Sequence, residues 1–520
     1  MFRTAAFTRG EQDEQGCKFR RLGLGHATRI ALTGSCYDFE RGRLRPPCEG
    51  WPIFMDVSVS QAADDNIKAG KSGLLLVSDN YDAFAVRVLA ARSAVRTLDL
   101  MYYLWHDDHT GRLLLQEVFR AAERGVRVRM LLDDINPRKN DAAYLALNNH
   151  PNIELKLFNP SGIRSGRIMR GLEVLLRLFA LTRRMHNKAW IADDRFAIVG
   201  GRNVGDAYFD AAETNFRDLD MLLMGPAVQQ TAAIFEAFWA CEESKPIKTL
   251  GSATEHEQVK RFEVNESETE SKFLNGIGDR GSFVEFIAAS NDVHWVEGVR
   301  VISDPPEKVR GWRRRSWLMK ELRPIIQSTR ECLEIVSPYF IPGKRGSAIL
   351  LELVGAGVEV SVLTNSLAAT DVAAVHGAYA NYRKRLLRNG VKLFELQPFS
   401  RQPAISVFGS KGASLHTKAF TVDDKTGFVG SFNFDPRSVS LNSEMGVLFE
   451  DAGLVAELRD RFQSEISPEA SYRLELKHNV LHWHGCDEGK LQDYTHEPEA
   501  GFFRRILAAL VRHLPIESQL

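Results

Sequence analysis

The chain has 520 residues and a mass of 58.5 kDa, more than one hydrophobic core holds, so two or more domains are expected. Lys+Arg and Asp+Glu both total 67, and the resulting formal net charge of zero counts against a protein that lives by non-specific nucleic-acid binding. Hydrophobic and charged residues at 44% and 26% give a globular composition, and no apolar run approaches the ~18 residues of a membrane-spanning helix.

Arg9, Glu11, Asp13, Glu14 and Lys18 break up any secretory apolar region near the N-terminus. The six cysteines (Cys17, Cys36, Cys48, Cys241, Cys332 and Cys486) form no CxxC pair, which fits reduced thiols better than a disulfide scaffold. Residues 1–54 carry nine Lys/Arg against six Asp/Glu and no sustained periodicity. They read as a disordered extension, or as sequence ahead of a true start at Met55. Further on, Asp82–Val95 has helical spacing, Thr97–Trp105 reads as a strand, Gly111–Arg124 as a helix and Val126–Leu132 as a strand. Helices alternating with buried strands predict a parallel-type α/β sheet.

The same text then returns. Thr97–Trp105 has a counterpart in Cys332–Phe340, 235 residues on, and Gly125–Leu132 in Gly357–Thr364, 232 residues on. Duplicated domains are expected over 70–248 and 311–470, joined by a linker and inter-domain segment over 249–310, in which Ser252–Lys272 is polar and charge-rich. The stretch 471–520 reads as a C-terminal extension, with alternating segments around Tyr472–Leu476 and Val480–Trp483 and a last amphipathic helix, Phe502–Leu514.

A third repeat, at an offset of 230, carries the chemistry. HNKAWIADDRFAIVGGRN starts at His186 and HTKAFTVDDKTGFVGSFN at His416. Each copy sets a His-x-Lys, an Asp, and a Gly-Gly/Ser-x-Asn at the same spacing: His186, Lys188, Asp193 and Asn203, then His416, Lys418, Asp423 and Asn433. In a strand, positions i and i+2 share a face, so each imidazole is expected beside an ammonium. The Asp-Asp-Arg/Lys turn would send a return strand back with the Asn, and glycine before it would let a phosphate oxygen approach the backbone. Two such sets supply two imidazoles, two ammoniums and two amides, which meets the needs of an anionic phosphodiester: donors for its oxygens, a nucleophile and an acid for the leaving alkoxide. Lysines and amides can neutralise its charge, so no divalent cation or other cofactor is required.

These motifs resemble the paired HxKxxxxD signatures of the phospholipase D superfamily, over roughly residues 75 to 500. The resemblance implies two α/β/α domains with pseudo-twofold symmetry and one active site at their interface. It also implies a catalytic set of His186, Lys188, Asp193, His416, Lys418 and Asp423, with Asn203 and Asn433 binding phosphate. One histidine would attack phosphorus to give a phosphohistidine and the other would protonate the leaving alcohol and then activate the acceptor; the family suggests His186 as nucleophile. Asp193 and Asp423 are expected to serve as turn and hydrogen-bonding residues more than as chemical actors. Glu444, 28 residues after His416, stands where the family has a carboxylate that orients the histidine, and Asp218 in FRDLD resembles its first-half counterpart. Such a carboxylate would fix the tautomer and favour imidazolium.

Within the superfamily, LTRRMHNK (181–188), GSFNFDPRSVSL (430–441) and His496-Glu497-Pro498-Glu499 are most similar to the C-type bacterial cardiolipin synthases. That implies transfer of a phosphatidyl group to phosphatidylglycerol, from a second phosphatidylglycerol or from phosphatidylethanolamine. A phospholipase D releasing phosphatidic acid, a phosphodiesterase or nuclease, and a lipid-binding scaffold are the alternatives. The implied location is the bacterial cytoplasmic (inner) membrane, held peripherally. Two basic amphipathic segments suit it: Arg164–Arg184, with six arginines directly before His186, and Phe502–Leu514. His482-x-His484-x-Cys486 matches no standard zinc module and reads as a strand-end cluster. Tyr102, Tyr103, Trp105 and Tyr339 either line the cleft or pack.

Overall fold

The computed structural model describes residues 61–135, 141–160, 183–249, 277, 282–289, 293–311, 317–398, 412–487 and 489–512, with short pieces at 37–38, 43–44, 514 and 517–519. The extension 1–54, the polar stretch 252–272 and nearly all of the basic segment 164–184 therefore lie outside the described residues. Met1–Val57 forms a unit by itself, in which β1 (Tyr37–Asp38) pairs antiparallel with β2 (Arg43–Leu44).

The second unit, Ser58–Leu520, holds both repeats. The first contributes β3 (Ser72–Val77), β4 (Thr97–Tyr102), β5 (Arg127–Asp133), β6 (Ile153–Phe158), β7 (Ala189–Ala192), β8 (Phe196–Gly200), β9 (Thr214–Arg217), β10 (Asp220–Met224), β11 (Ser244–Pro246) and β12 (His294–Val296). All but β9 join one nine-stranded sheet in the order β11-β6-β5-β4-β7-β8-β10-β3-β12. The second contributes β13 (Arg300–Ser303), β14 (Cys332–Val336), β15 (Glu359–Asn365), β16 (Lys392–Leu396), β17 (Gly412–Leu415), β18 (Ala419–Val422), β19 (Thr426–Gly430), β20 (Met445–Glu450), β21 (Ser471–Lys477), β22 (Val480–Asp487) and β23 (Lys490–Tyr494). All but β17 form a ten-stranded sheet, β13-β20-β19-β18-β14-β15-β16-β21-β22-β23.

The repeat is visible in the register. In each sheet three strands run parallel, β4-β5-β6 and β14-β15-β16, and a hairpin, β7-β8 or β18-β19, is laid antiparallel beside the first of them. The stretch expected as linker supplies an edge strand to each sheet, β12 beside β3 and β13 beside β20. The C-terminal extension continues the second sheet, because β21 pairs with β16.

Helices begin where side chains satisfy their first free N–H groups. Asp79 accepts from the N–H of Asp82 at 2.8 Å, Asp108 from that of Gly111 at 3.0 Å and Asp451 from that of Leu454 at 2.8 Å. One hydrophobic core lies between the first sheet and its helices 80–93 and 109–123, and another fills the outer side of the second sheet. A third belongs to both halves: Leu74, Ile191, Val199 and Met221 pack in one cluster with Ala419, Val429, Val447 and Leu454. That shared apolar layer fixes the halves against each other and so sets the spacing of the site between them.

Candidate active site

Each histidine stands on an extended segment just before a hairpin. The strands begin at Ala189 and Ala419, one residue after each lysine, so His186 and His416 precede them. Imidazole and ammonium do share a side, as the i, i+2 spacing predicts. Lys188 Nζ donates to the carbonyl of His186 at 2.7 Å, and Lys418 Nζ donates to that of His416.

Two short parallel contacts cross between the halves and place the carboxylates. The β17–β9 ladder pairs Leu415 with Arg217, so the next residues, His416 and Asp218, lie side by side. On the other side, Met185 bridges Ser443 and sets His186 beside Glu444. The backbone locks both: His416 N–H donates to Arg217 O at 2.7 Å, and His186 N–H to Ser443 O at 2.9 Å. His416 Nδ1 then lies 2.5 Å from Asp218 Oδ2, and His186 Nδ1 lies 2.7 Å from Glu444 Oε2. Each carboxylate orients the histidine of the opposite half.

Both pairs are buried, as are both lysines. For His186, burial lowers the pKa; Glu444 opposes it, Lys188 and Lys418 add to it, and the imidazole is held down at about 4. Burial and Lys418 likewise lower His416 against the pull of Asp218. Burial pushes Glu444 and Asp218 upward, but the facing histidines and lysines hold both below the usual carboxylate range. At neutral pH this gives ionised carboxylates and neutral imidazoles, each donating Nδ1–H and leaving an Nε2 lone pair. The carboxylates lie where they can accept Nδ1–H, whereas burial outweighs their preference for imidazolium. Burial also lowers Lys188 well below its ordinary value and Lys418 to about 8. An anion brought between these ammoniums would raise both again, so the pocket favours a phosphate-type charge.

Asp193 and Asp423 sit at the far ends of their hairpin strands. Each has a positive φ (55° and 51°) in the turn. Asp193 accepts from the N–H groups of Val95, Arg96 and Thr97 at 2.9, 2.7 and 2.9 Å, tying the hairpin to the start of β4. Asp423 does the same for Arg330, Glu331 and Cys332 at the start of β14, at 3.2, 2.8 and 3.1 Å. Asn203 is committed at both ends of its amide, donating to Tyr208 OH at 2.8 Å and accepting from Leu104 N–H at 3.3 Å. Asn433 keeps a buried Oδ1 without a partner.

The glycines before the asparagines make room for protein atoms and not, as expected, for a ligand. A Cβ at Gly201 would lie 2.2 Å from Asp218 Oδ1, and one at Gly430 would lie 2.4 Å from the carbonyl of Met445. In the second half Ser431 replaces Gly201 and donates to Glu444 Oε2 at 2.6 Å, while Ser438 donates to Oε1 at 2.8 Å. Ser431 and Arg202 lie inside the Gly-x-x-Asn elements and Ser438 in GSFNFDPRSVSL, but nothing in the spacing assigns these residues their contacts. Arg202 is buried, donates to the carbonyl of Asp218 at 2.6 Å and pairs with Asp220 at 3.2 Å.

The aromatic residues divide. Tyr103 stands edge-on to His186 at 4.9 Å and 5.3 Å from Lys188 Nζ, and Tyr208 and Phe216 flank His416 at 5.3 and 4.9 Å. Tyr102 and Trp105 pack in the core, and Tyr339 donates its hydroxyl to Asp371 at 2.8 Å. Away from the site, β22 gathers His482 and His484 near Asp493, where His482 lies 2.9 Å from Asp493 and His484 3.0 Å from Glu475. His376, Glu395 and Glu497 also meet, but the guanidinium of Arg383 lies between the two carboxylates.

A family model for the cardiolipin synthase, PLD-like domain matches residues 89–239 and 322–466. The chain is 40% identical over 460 residues to cardiolipin synthase C of Escherichia coli (strain K12), covering 86% of this chain and 96% of that one. It is 24% identical over 417 residues to cardiolipin synthase A of Pseudomonas syringae pv. syringae (strain B728a), covering 79% and 71%. Its fold is similar to the crystal structure of phosphatidylserine synthase from Haemophilus influenzae Rd KW20, with a TM-score of 0.56 at 13% identity, covering 89% of this chain and all of the other.

Proposed function

The chain belongs to the phospholipase D superfamily as a cardiolipin synthase-like phospholipid transferase, and from that premise we propose that it makes cardiolipin from phosphatidylglycerol and a second phospholipid through a phosphohistidine. His186 Nε2 attacks the phosphorus of the donor, an N–P bond forms, and the P–O bond to the headgroup alcohol breaks. His416, protonated on the arrival of the anion, gives that proton to the leaving alkoxide. It then takes a proton from the primary hydroxyl of the acceptor phosphatidylglycerol, whose oxygen attacks phosphorus and releases His186. Lys188 and Lys418 hold the non-bridging oxygens, with Asn433 beside them.

The crossed histidine–carboxylate pairs carry this reading, and their inequality supports the order of roles. Glu444 divides its charge among His186, Ser431 and Ser438, whereas the side chain of Asp218 serves His416 and a single backbone N–H, that of Leu219. The carboxylate with fewer other donors stabilises an imidazolium better, which suits His416 to carry the proton. The catalytic halves of this reading are residues 70–248 and 311–470. The enzyme would work as a peripheral protein at the bacterial cytoplasmic membrane; among the described residues no helix is long and apolar enough to cross one.

The test is purified protein on vesicles of phosphatidylglycerol and phosphatidylethanolamine, analysed by mass spectrometry with and without chelator. Cardiolipin formed in both conditions is expected, and its loss in His186→Ala and in His416→Ala. Phosphatidic acid without cardiolipin would make water the acceptor. With a p-nitrophenol ester of phosphatidic acid, whose leaving group needs no acid, His416→Ala should accumulate an adduct on His186; an adduct on His416 in His186→Ala would reverse the roles.

A further inference from the structure

Eleven large hydrophobic side chains are exposed among the described residues, and six of them fall between Phe502 and Leu514. Phe502 and Phe503 are 71% and 85% exposed, Ile506, Leu507 and Leu510 continue the stripe along the helix, and Leu514 is exposed beyond its end. The inward side of the helix Phe502–Val511 is narrow, Ala508 and Val511: Ala508 is buried against Gly377, where a Cβ would lie 2.5 Å from the Ala508 carbonyl. With more apolar side chains turned outward than inward, the helix reverses the usual arrangement of a surface helix. An apolar patch of this kind on a folded protein marks a docking face.

The face is also positively charged. No Asp or Glu lies between Phe502 and Leu514, and Arg504, Arg505 and Arg512 form no ion pair among the described residues. Their guanidiniums donate to neutral oxygens, the carbonyls of Thr370 and Glu497 and the side-chain oxygen of Asn381; Arg504 and Arg505 are half-buried at the edge of the stripe and Arg512 is exposed. Aromatic residues at one end, an apolar stripe and flanking arginines are what the headgroup layer of an anionic bilayer accommodates.

The helix is seated on the second half, and its seat leads toward the active site. It runs beside the helix Ala373–Arg388, with Arg512 Nε on Asn381 at 3.0 Å and Arg504 on the carbonyl of Thr370. The next residue, Asp371, holds the hydroxyl of Tyr339, and its charge is felt at His416 and Lys418.

We propose that the helix Phe502–Val511 docks the enzyme onto an anionic phospholipid surface, its apolar face entering the headgroup layer while its fixed seat holds the Thr370–Tyr339 rim of the site at the depth of the scissile phosphodiester. This deepens the transferase reading and rests on it for the substrate. The full-length protein and a Phe503→Ser/Leu507→Ser/Leu510→Ser variant are compared by flotation with phosphatidylglycerol–phosphatidylcholine vesicles and with phosphatidylcholine vesicles alone. The wild type should float with the anionic vesicles, and the variant's bound fraction should fall about tenfold or more at unchanged melting temperature. The ratio of turnover on vesicles to turnover on dispersed short-chain phosphatidylglycerol should fall by the same factor. A variant that floats like the wild type overturns the proposal, as does a wild-type dimer that the variant turns into a monomer without either binding vesicles, which would make a second copy the occupant. A protein that floats but forms no lipid product overturns the function and leaves the docking face standing.

Discussion

Gly201 and Ser431 occupy equivalent places in the two halves, and the difference between them matches the length of the carboxylate each one faces. Asp218, one methylene shorter than Glu444, reaches His416 only by lying against the bare Cα of Gly201. Glu444 reaches farther and leaves space that the Ser431 hydroxyl fills with a 2.6 Å hydrogen bond. Gly201→Ala therefore forces Asp218 away from His416. Misplacement of a catalytic pair by about 1 Å can cost ~10²-fold, so kcat should drop by that order while KM and the circular dichroism spectrum stay near wild type. Ser431→Ala creates no clash; it removes the donor to Glu444 and the acceptor of the Met445 N–H, for roughly fivefold in kcat. Equal effects of the two substitutions would show that the close contact at Gly201 is unimportant.

At the scale of elements, the β7-β8 and β18-β19 hairpins are held at opposite ends by different means, the crossed pairs at one and the turn aspartates at the other. Asp193 is buried and accepts three backbone N–H groups, and its φ of 55° disfavours a residue without a locally bonding side chain. Asp193→Ala is expected to lower stability by about 2–4 kcal/mol, measured by denaturant unfolding, with kcat of the folded fraction within a few-fold of wild type. Asp423→Ala should cost less, because its bonds lie at the exposed end of the hairpin. A selective collapse of kcat in Asp193→Ala at unchanged stability would restore this residue to the chemistry. The hairpin itself was legible in the sequence, since His, Lys, Asp and Asn are fixed by local spacing and a turn. The crossed partners were not, because His186–Glu444 and His416–Asp218 join residues 258 and 198 apart through inter-half bridges of one to four residues. Duplication was readable, but which carboxylate serves which histidine is a property of the packed pair. For the same reason the alternation of the tail announced strands without naming the sheet they extend.

For the whole molecule, the C-terminal extension ties the docking helix to the half that carries His416. Its half-buried Glu497 accepts from Arg383 Nη2 at 2.5 Å and lies 3.2 Å from His376 Nε2, while Glu395 takes the other side of Arg383 and the indole N–H of Trp483. Burial pushes the Glu497 carboxyl up, but Arg383 and His376 hold it well below the usual range. A depressed folded pKa contributes stability that is fully present above the unfolded pKa of about 4.3 and is lost as pH falls through the folded value. Glu497→Gln should thus cost about 3 kcal/mol at pH 7, the scale of breaking one partner of a buried pair. The gap between wild type and variant should narrow steadily below about pH 4. If the network seats the helix as well as stabilising the fold, the same variant will float less with anionic vesicles at pH 7 and temperatures below its transition. A stability loss that does not change with pH would mean that packing at Glu497 matters and its charge does not. Unchanged flotation in a destabilised variant would show that the helix keeps its seat through Gly377, Thr370 and Asn381 alone.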